Sequence, residues 1–298
     1  MTRILEVSGL TRRFGALRAV DESSFHVDEG EVVSIIGPNG SGKTTTINLL
    51  SGELKPDGGA IRFRGRDLAG LSADRIAGEG LRRTFQNGRV FANATVEENV
   101  LIGQAPLARA TAPLKPLRRM PIIRWAALVV ETVLAIVGTP AQRREERERQ
   151  QRAETQLERF GQRLLPRRDH PAWTLSYANR RRTEIARALA SDPELLLLDE
   201  PTAGMNTAET QEVMHQLLDL KAQGQTILLV EHKLDLVMSV SDRIIVMDGG
   251  QVIAEGTPVE IQNDERVIEA YLGKRRGTIA ARTHDVASAV LDDEGEAR

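Results

Sequence analysis

The chain has 298 residues, 41% hydrophobic and 28% charged, with a formal net charge of -2. That is a globular composition with ample apolar material for a core, and its balance calls for neither nucleic acid nor an anionic membrane surface. It contains no cysteine, which excludes disulfides, Cys-ligated zinc and thiol catalysis. The opening MTRILEVSGL has no basic stretch followed by a long apolar run, so a signal peptide is not expected. Residues 4–36 predict short strands separated by turns, the last being Val32-Val33-Ser34-Ile35-Ile36. A glycine-rich turn and a helix at 44–50 follow, and Gly58-Gly59 announces a strand around 61–63. Thr95-Val96-Glu97-Glu98 predicts a capping box, with Thr95 as N-cap and Glu98 at the third position.

The middle of the chain changes character. Residues 105–121 are rich in proline, alanine and basic side chains, and 122–137 is the most apolar run, broken by Arg124 and Glu131. A spanning helix needs about 20 apolar residues, so this run predicts a packed helix, with contact to a permease or membrane surface as the alternative. The charged stretch 143–159 places Glu145 and Arg149, then Glu148 and Arg152, at helical spacing and predicts a solvated helix. From 194 onward, apolar strands at 195–198, 226–230 and 243–247 alternate with helices at 207–222 and 234–239. That alternation predicts a parallel sheet covered on both faces. Residues 274–298 are polar and predict a frayed tail.

Two segments carry chemistry. Gly37-Pro38-Asn39-Gly40-Ser41-Gly42-Lys43-Thr44 fits G-x-x-x-x-G-K-[ST] between a buried strand and a helix. Glycines let successive N–H groups turn toward phosphate oxygens at the positive end of the helix. Lys43 then supplies charge to the β- and γ-phosphates, and Thr44 a hydroxyl for Mg²⁺. Leu195-Leu196-Leu197-Leu198-Asp199-Glu200 is a buried strand delivering two carboxylates to its end. Asp199 suits a Mg²⁺ shell, and Glu200 suits a general base, a role worth about 10²–10⁴-fold.

Leu175-Ser176-Tyr177-Ala178-Asn179, ahead of Arg180 to Leu189 and the second carboxylate motif, resembles the signature of ATP-binding cassette (ABC) proteins. Gln86, Gly204-Met205-Asn206, His232 and Phe14 stand where that family has its Q-loop, D-loop, switch histidine and adenine-stacking aromatic. The resemblance covers about residues 4–273. Glu200-Pro201-Thr202-Ala203-Gly204-Met205-Asn206, the Arg-Arg-Glu-Glu-Arg run at 143–147, the stretch from Val230 to Met238, Ile253 to Pro258 and Val267-Ile268-Glu269-Ala270-Tyr271-Leu272-Gly273 look like the ATPase of branched-chain amino acid importers.

The resemblance implies a P-loop α/β core with an N-terminal antiparallel β lobe and an inserted helical lobe at about 90–180, together forming a domain over 1–273. ATP and Mg²⁺ are the implied cofactors. Implied nucleotide contacts are Phe14, Gly37, Pro38, Asn39, Gly40, Ser41, Gly42, Lys43, Thr44 and Thr45, with Ser176 and Ala178 acting on a second chain's nucleotide. Thr44, Gln86 and Asp199 are the implied metal residues, and Glu200 and His232 the catalytic ones. The implied partners are a second ABC ATPase, in a heterodimer or homodimer, and two permeases, fed indirectly by an extracytoplasmic solute-binding protein. No nucleic acid is implied, and the place is the cytoplasmic side of the inner membrane. Other solutes such as urea, amides or lipid-like molecules, a soluble non-transport cassette and a regulator that no longer hydrolyses are the alternatives. Most members carry Gly and Gln at 178 and 179. The Cβ of Ala178 and the shorter Asn179 therefore imply unequal ATP sites in a heterodimer.

Overall fold

A computed structural model of the chain describes residues 2–84, 90–105 and 140–271. Gln86, the run at 122–137 and the tail at 274–298 lie outside the described residues. Two units divide the chain, one of residues 1–73 with 224–298 and one of residues 74–223. The first opens with two twelve-residue antiparallel strands, β1 (Arg3–Phe14) and β2 (Leu17–Asp28), closed by a hairpin pairing Phe14 with Leu17. The sequence predicts shorter strands here. Register shifts between Val7 and Leu10 and between Leu10 and Arg12 absorb the turn-like residues as bulges, so the strands run on. β3 (Val32–Ile36) is buried throughout, and α1 (Lys43–Leu50) follows it after a tight loop. β4 (Gly58–Phe63) pairs with β1, and β5 (Arg66–Asp67) with β4, giving an antiparallel sheet of order β2-β1-β4-β5.

In the second unit α2 (Ala73–Gly78) leads to β6 (Leu81–Arg83). α3 (Val96–Gly103) has the predicted capping box, Thr95 Oγ1 accepting from Glu98 N–H and Glu98 accepting from Thr95 N–H. α4 (Pro140–Arg159) is the predicted charged helix; Arg149 pairs with Glu146 at 3.2 Å and also donates to Leu101 O. α5 (Gly161–Leu164) and two 3-10 turns lead to α6 (Tyr177–Leu189). β7 (Leu195–Asp199), fully buried, runs parallel to β6 with Arg83 opposite Leu197. α7 (Thr207–Ala222) closes the unit.

The chain then returns to the first unit. β8 (Thr226–Val230) lies parallel to β3, and after α8 (Leu234–Val240) so does β9 (Arg243–Asp248) on the other side. β10 (Gln251–Gly256) folds back antiparallel along β9, and α9 (Pro258–Gln262) starts from a further capping box, Thr257 with Glu260. Within this unit the order is β10-β9-β3-β8, in which β9, β3 and β8 are parallel, as the apolar runs predict. One face of it packs Ile36, Val237, Ile244, Val246, Ala254, Ile261 and Val267 together, with Tyr271 against them.

Candidate functional site

β3 ends at Ile36, and residues 37–42 curl with positive φ at Gly37, Gly40 and Gly42. Two of these glycines are required by their neighbours. A Cβ at Gly37 would run into the carbonyl oxygen of Met247, and one at Gly42 into that of Ala19. Gly42 is the N-cap of α1, in left-handed backbone and with no side-chain cap, and no acidic residue occupies the first turn. The N–H groups of that turn and the positive end of the helix are thus left to an anion. Lys43 is buried, and its ammonium donates to Gly37 O at 2.9 Å, Pro38 O at 3.1 Å and Ser41 Oγ at 3.3 Å. Thr44 is exposed and Thr45 half-buried. Gly250 N–H reaches Ser41 O at 3.1 Å, so the β9–β10 turn braces the loop. Just before the loop, Tyr271 packs against the cluster that contains Ile36, and burial raises its phenol pKa.

Phe14, at the β1–β2 hairpin, is 46% exposed, with the Arg12 guanidinium 5.0 Å from its ring centre. Arg12 is tied to Asp57 at 2.8 Å, so the ring has a fixed cationic support. After β8 comes Glu231, 3% exposed, whose carboxylate accepts from the N–H of His232 at 2.8 Å and of Lys233 at 3.3 Å. That turn presents the exposed His232.

In the second unit Asp199 is fully buried at the end of β7. Oδ2 accepts from Arg83 Nη2 at 2.8 Å, while Oδ1 is buried with no hydrogen-bond partner. Burial pushes the carboxyl pKa up, and Arg83 opposes it. An orphaned lone pair of this kind is a place for a cation. Among the described residues no group of three or more His, Cys, Asp or Glu could hold a metal ion. Mg²⁺ needs no such cage, because it keeps waters and shares phosphates with one or two protein oxygens. Asp199 therefore fits that ion.

Glu200, half-buried, has φ of 47°, a left-handed backbone that costs a non-glycine residue about 1–3 kcal/mol. Arg181, 1% exposed on α6, donates to the main-chain carbonyls of Asp199 and, at 3.2 Å, Glu200. Ser176 caps α6, its hydroxyl accepting from Asn179 N–H at 3.3 Å. Ser176 is exposed, but Ala178 and Asn179 are buried, and Asn179 Oδ1 accepts from Arg182 at 2.9 Å. The extra Cβ at 178 is thus accommodated inside its own unit, and Asn179 is a packing partner of Arg182. Asn206 caps α7 in a capping box with Glu209.

The structure thus sets Lys43, Thr44, His232 and Phe14 in the first unit and Asp199, Glu200, Ser176 and Ala178 in the second. Sequence reasoning missed Arg83, Arg181 and Glu231, which organise the motif residues beside them. For Glu231, its place directly after a buried apolar strand was the available signal.

Comparison with known proteins bears on these features directly. The ABC transporter profile matches residues 20–203, from β2 through the carboxylate motif. The chain belongs to the ABC transporter family. A second profile, branched-chain amino acid ATP-binding cassette transporter, matches residues 251–276 of the cassette. The cassette is 44% identical over 272 residues to the high-affinity branched-chain amino acid transport ATP-binding protein LivG of Salmonella typhimurium, covering 91% of the chain and 98% of that protein. It is 42% identical, with the same coverage, to BraF of Pseudomonas aeruginosa, which carries the same description. Among solved structures, the cassette resembles a nucleotide-free ATP-binding cassette from an ABC transporter, at 32% identity and TM-score 0.71 over 91% of this chain and 99% of that one. It also resembles the ADP conformation of an ABC transporter cassette, at 31% identity and TM-score 0.71 over 92% and 100%. A further likeness, at 25% identity and TM-score 0.64 over 85% and 98%, is a dimeric post-hydrolysis state bound to ADP and Pi. The cassette is an ATPase of this family, and no helix among its described residues is long and apolar enough to cross a membrane.

Proposed function

We propose that this cassette energises the import of branched-chain or other hydrophobic amino acids, from the cytoplasmic face of the membrane. It works there as a dimer with a second ABC ATPase, bound to two permeases that a solute-binding protein supplies. The observation carrying the substrate class is the branched-chain profile match at 251–276, on a chain alignable nearly end to end with LivG. One domain over 1–273 performs this work.

In this reading the loop N–H groups from Gly37 to Thr45 and the Lys43 ammonium cradle the ATP phosphates. Pro38, Asn39 and Ser41 shape that cradle, and Phe14 stacks on the adenine. Asp199, Thr44 and Gln86 would hold Mg²⁺, which supplies charge neutralisation at the phosphate oxygens. Glu200 orients the attacking water and takes its proton, and His232 contacts the γ-phosphate end. Ser176, with Ala178 behind it, faces the nucleotide of the opposite chain. The backbone strain at Glu200 supports its role, since such strain is kept where the surroundings over-determine a functional geometry.

Reconstitution in vesicles with the two permeases, the partner ATPase and a binding protein tests the proposal. ATP-dependent accumulation of labelled leucine, lost in Glu200→Gln, is the expected result. Accumulation of urea or an amide with none of leucine would overturn the substrate class and leave the ATPase standing.

A further inference from the structure

α6 carries Ser176 as its N-cap and, little more than one turn further on, the buried Arg181. The Arg181 guanidinium is divided between two tasks. Nη1 donates to Glu184 Oε2 at 2.7 Å, an ion pair with both side chains 1% exposed. Nη2 donates to Asp199 O and, at 3.2 Å, to Glu200 O. The Glu200 carbonyl also accepts from Ala203 N–H at 3.1 Å, in the turn that follows. Glu200, in left-handed backbone at φ 47°, is thus gripped from both sides of its peptide. A non-glycine residue keeps such a conformation only when its surroundings over-determine it. The planar guanidinium fork suits that task, because its donors hold a fixed geometry toward several acceptors, whereas a lysine ammonium is a point charge on a flexible stem.

We propose that Arg181 is a positioning residue for ATP hydrolysis: by holding the main chain of Asp199 and Glu200 it aims the Glu200 carboxylate. Because Arg181 stands on the helix capped by Ser176, a rigid shift of α6 carries the Glu200 main chain with it. The inference rests on Glu200 being the general base.

The test uses the full chain in its assembled transporter. Arg181→Lys keeps a cation beside Glu184 but loses the fork. Arg181→Met with Glu184→Met removes the buried pair without stranding a carboxylate. Both should lower kcat by about tenfold or more, with the KM for ATP and the nucleotide Kd within about twofold of the parent. A merely structural role would move stability and nucleotide affinity together. In a Glu200→Gln background neither change should lower the residual turnover further, since the effect passes through Glu200. Parental kcat in either folded variant, or an undiminished further loss in the Glu200→Gln background, overturns the proposal. Should the double variant fail to fold, Arg181→Lys decides alone. Parental turnover in Glu200→Gln itself would remove the base assignment and this inference with it, a result distinct from active Arg181 variants beside an inactive Glu200→Gln.

Discussion

The loop at 37–44 and the strand end at 199–200 both have to manage dense charge, and they do so by opposite means. The loop is built from main chain: left-handed glycines, an uncapped helix start and a lysine folded back on its own carbonyls. The strand end is built from side chains, with a buried carboxylate matched by Arg83 and a strained peptide held by Arg181. A main-chain site tolerates changes in surrounding side chains but not in backbone conformation. A buried-ion site is the reverse, because removing either partner strands a charge where water cannot reach it.

Mutation can break this contrast at several depths. The largest effects should come from the charged groups themselves. Lys43→Ala should abolish ATP binding, whereas Glu200→Gln should retain binding and lose about 10²–10⁴-fold in phosphate release. Nucleotide binding and phosphate release measured on both variants decide this, and Glu200→Gln at the parental rate removes the base assignment. Next is Arg83→Met, which leaves Asp199 alone in the interior and should cost about 3–5 kcal/mol in urea unfolding. Ser41→Ala in the loop, which removes one hydroxyl contact, should cost about 1 kcal/mol. Comparable losses from the two would mean that the loop also depends on its side chains. In nucleotide binding rather than stability, Phe14→Ala is expected to cost about 1–3 kcal/mol, equally for ATP and GTP. A loss confined to ATP would give Phe14 a part in base selection rather than in stacking alone.

The same contrast explains what could be read from the sequence. Glycine, lysine and threonine at fixed offsets after an apolar strand describe the loop almost completely, because its geometry is local. The apolar strands, the capping box at Thr95 and the long helix at 207–222 are local too, and the structure has them where the sequence predicts. Arg83 and Arg181 could not be assigned in advance, since their partners lie 116 and 18 or 19 positions away and depend on strand pairing and helix packing. Ala178 shows the same limit from the other side. Its burial depends on how α6 packs, which the local sequence does not specify, and here it is buried.

The packing of Tyr271 on the cluster around Ile36 has a consequence for exchange between relatives. Tyr271 belongs to the segment that the branched-chain profile matches, whereas Ile36 leads into the nucleotide loop within the range of the ABC transporter profile. The segment that marks the branched-chain relatives is thus seated beside the start of the nucleotide loop. Drift in the C-terminal segment is therefore constrained by the packing around Ile36, Val246 and Val267 as well as by any partner it serves. A chimaera exchanging this segment between lineages inherits a mismatched support for its nucleotide loop unless the tyrosine and its apolar bed travel together.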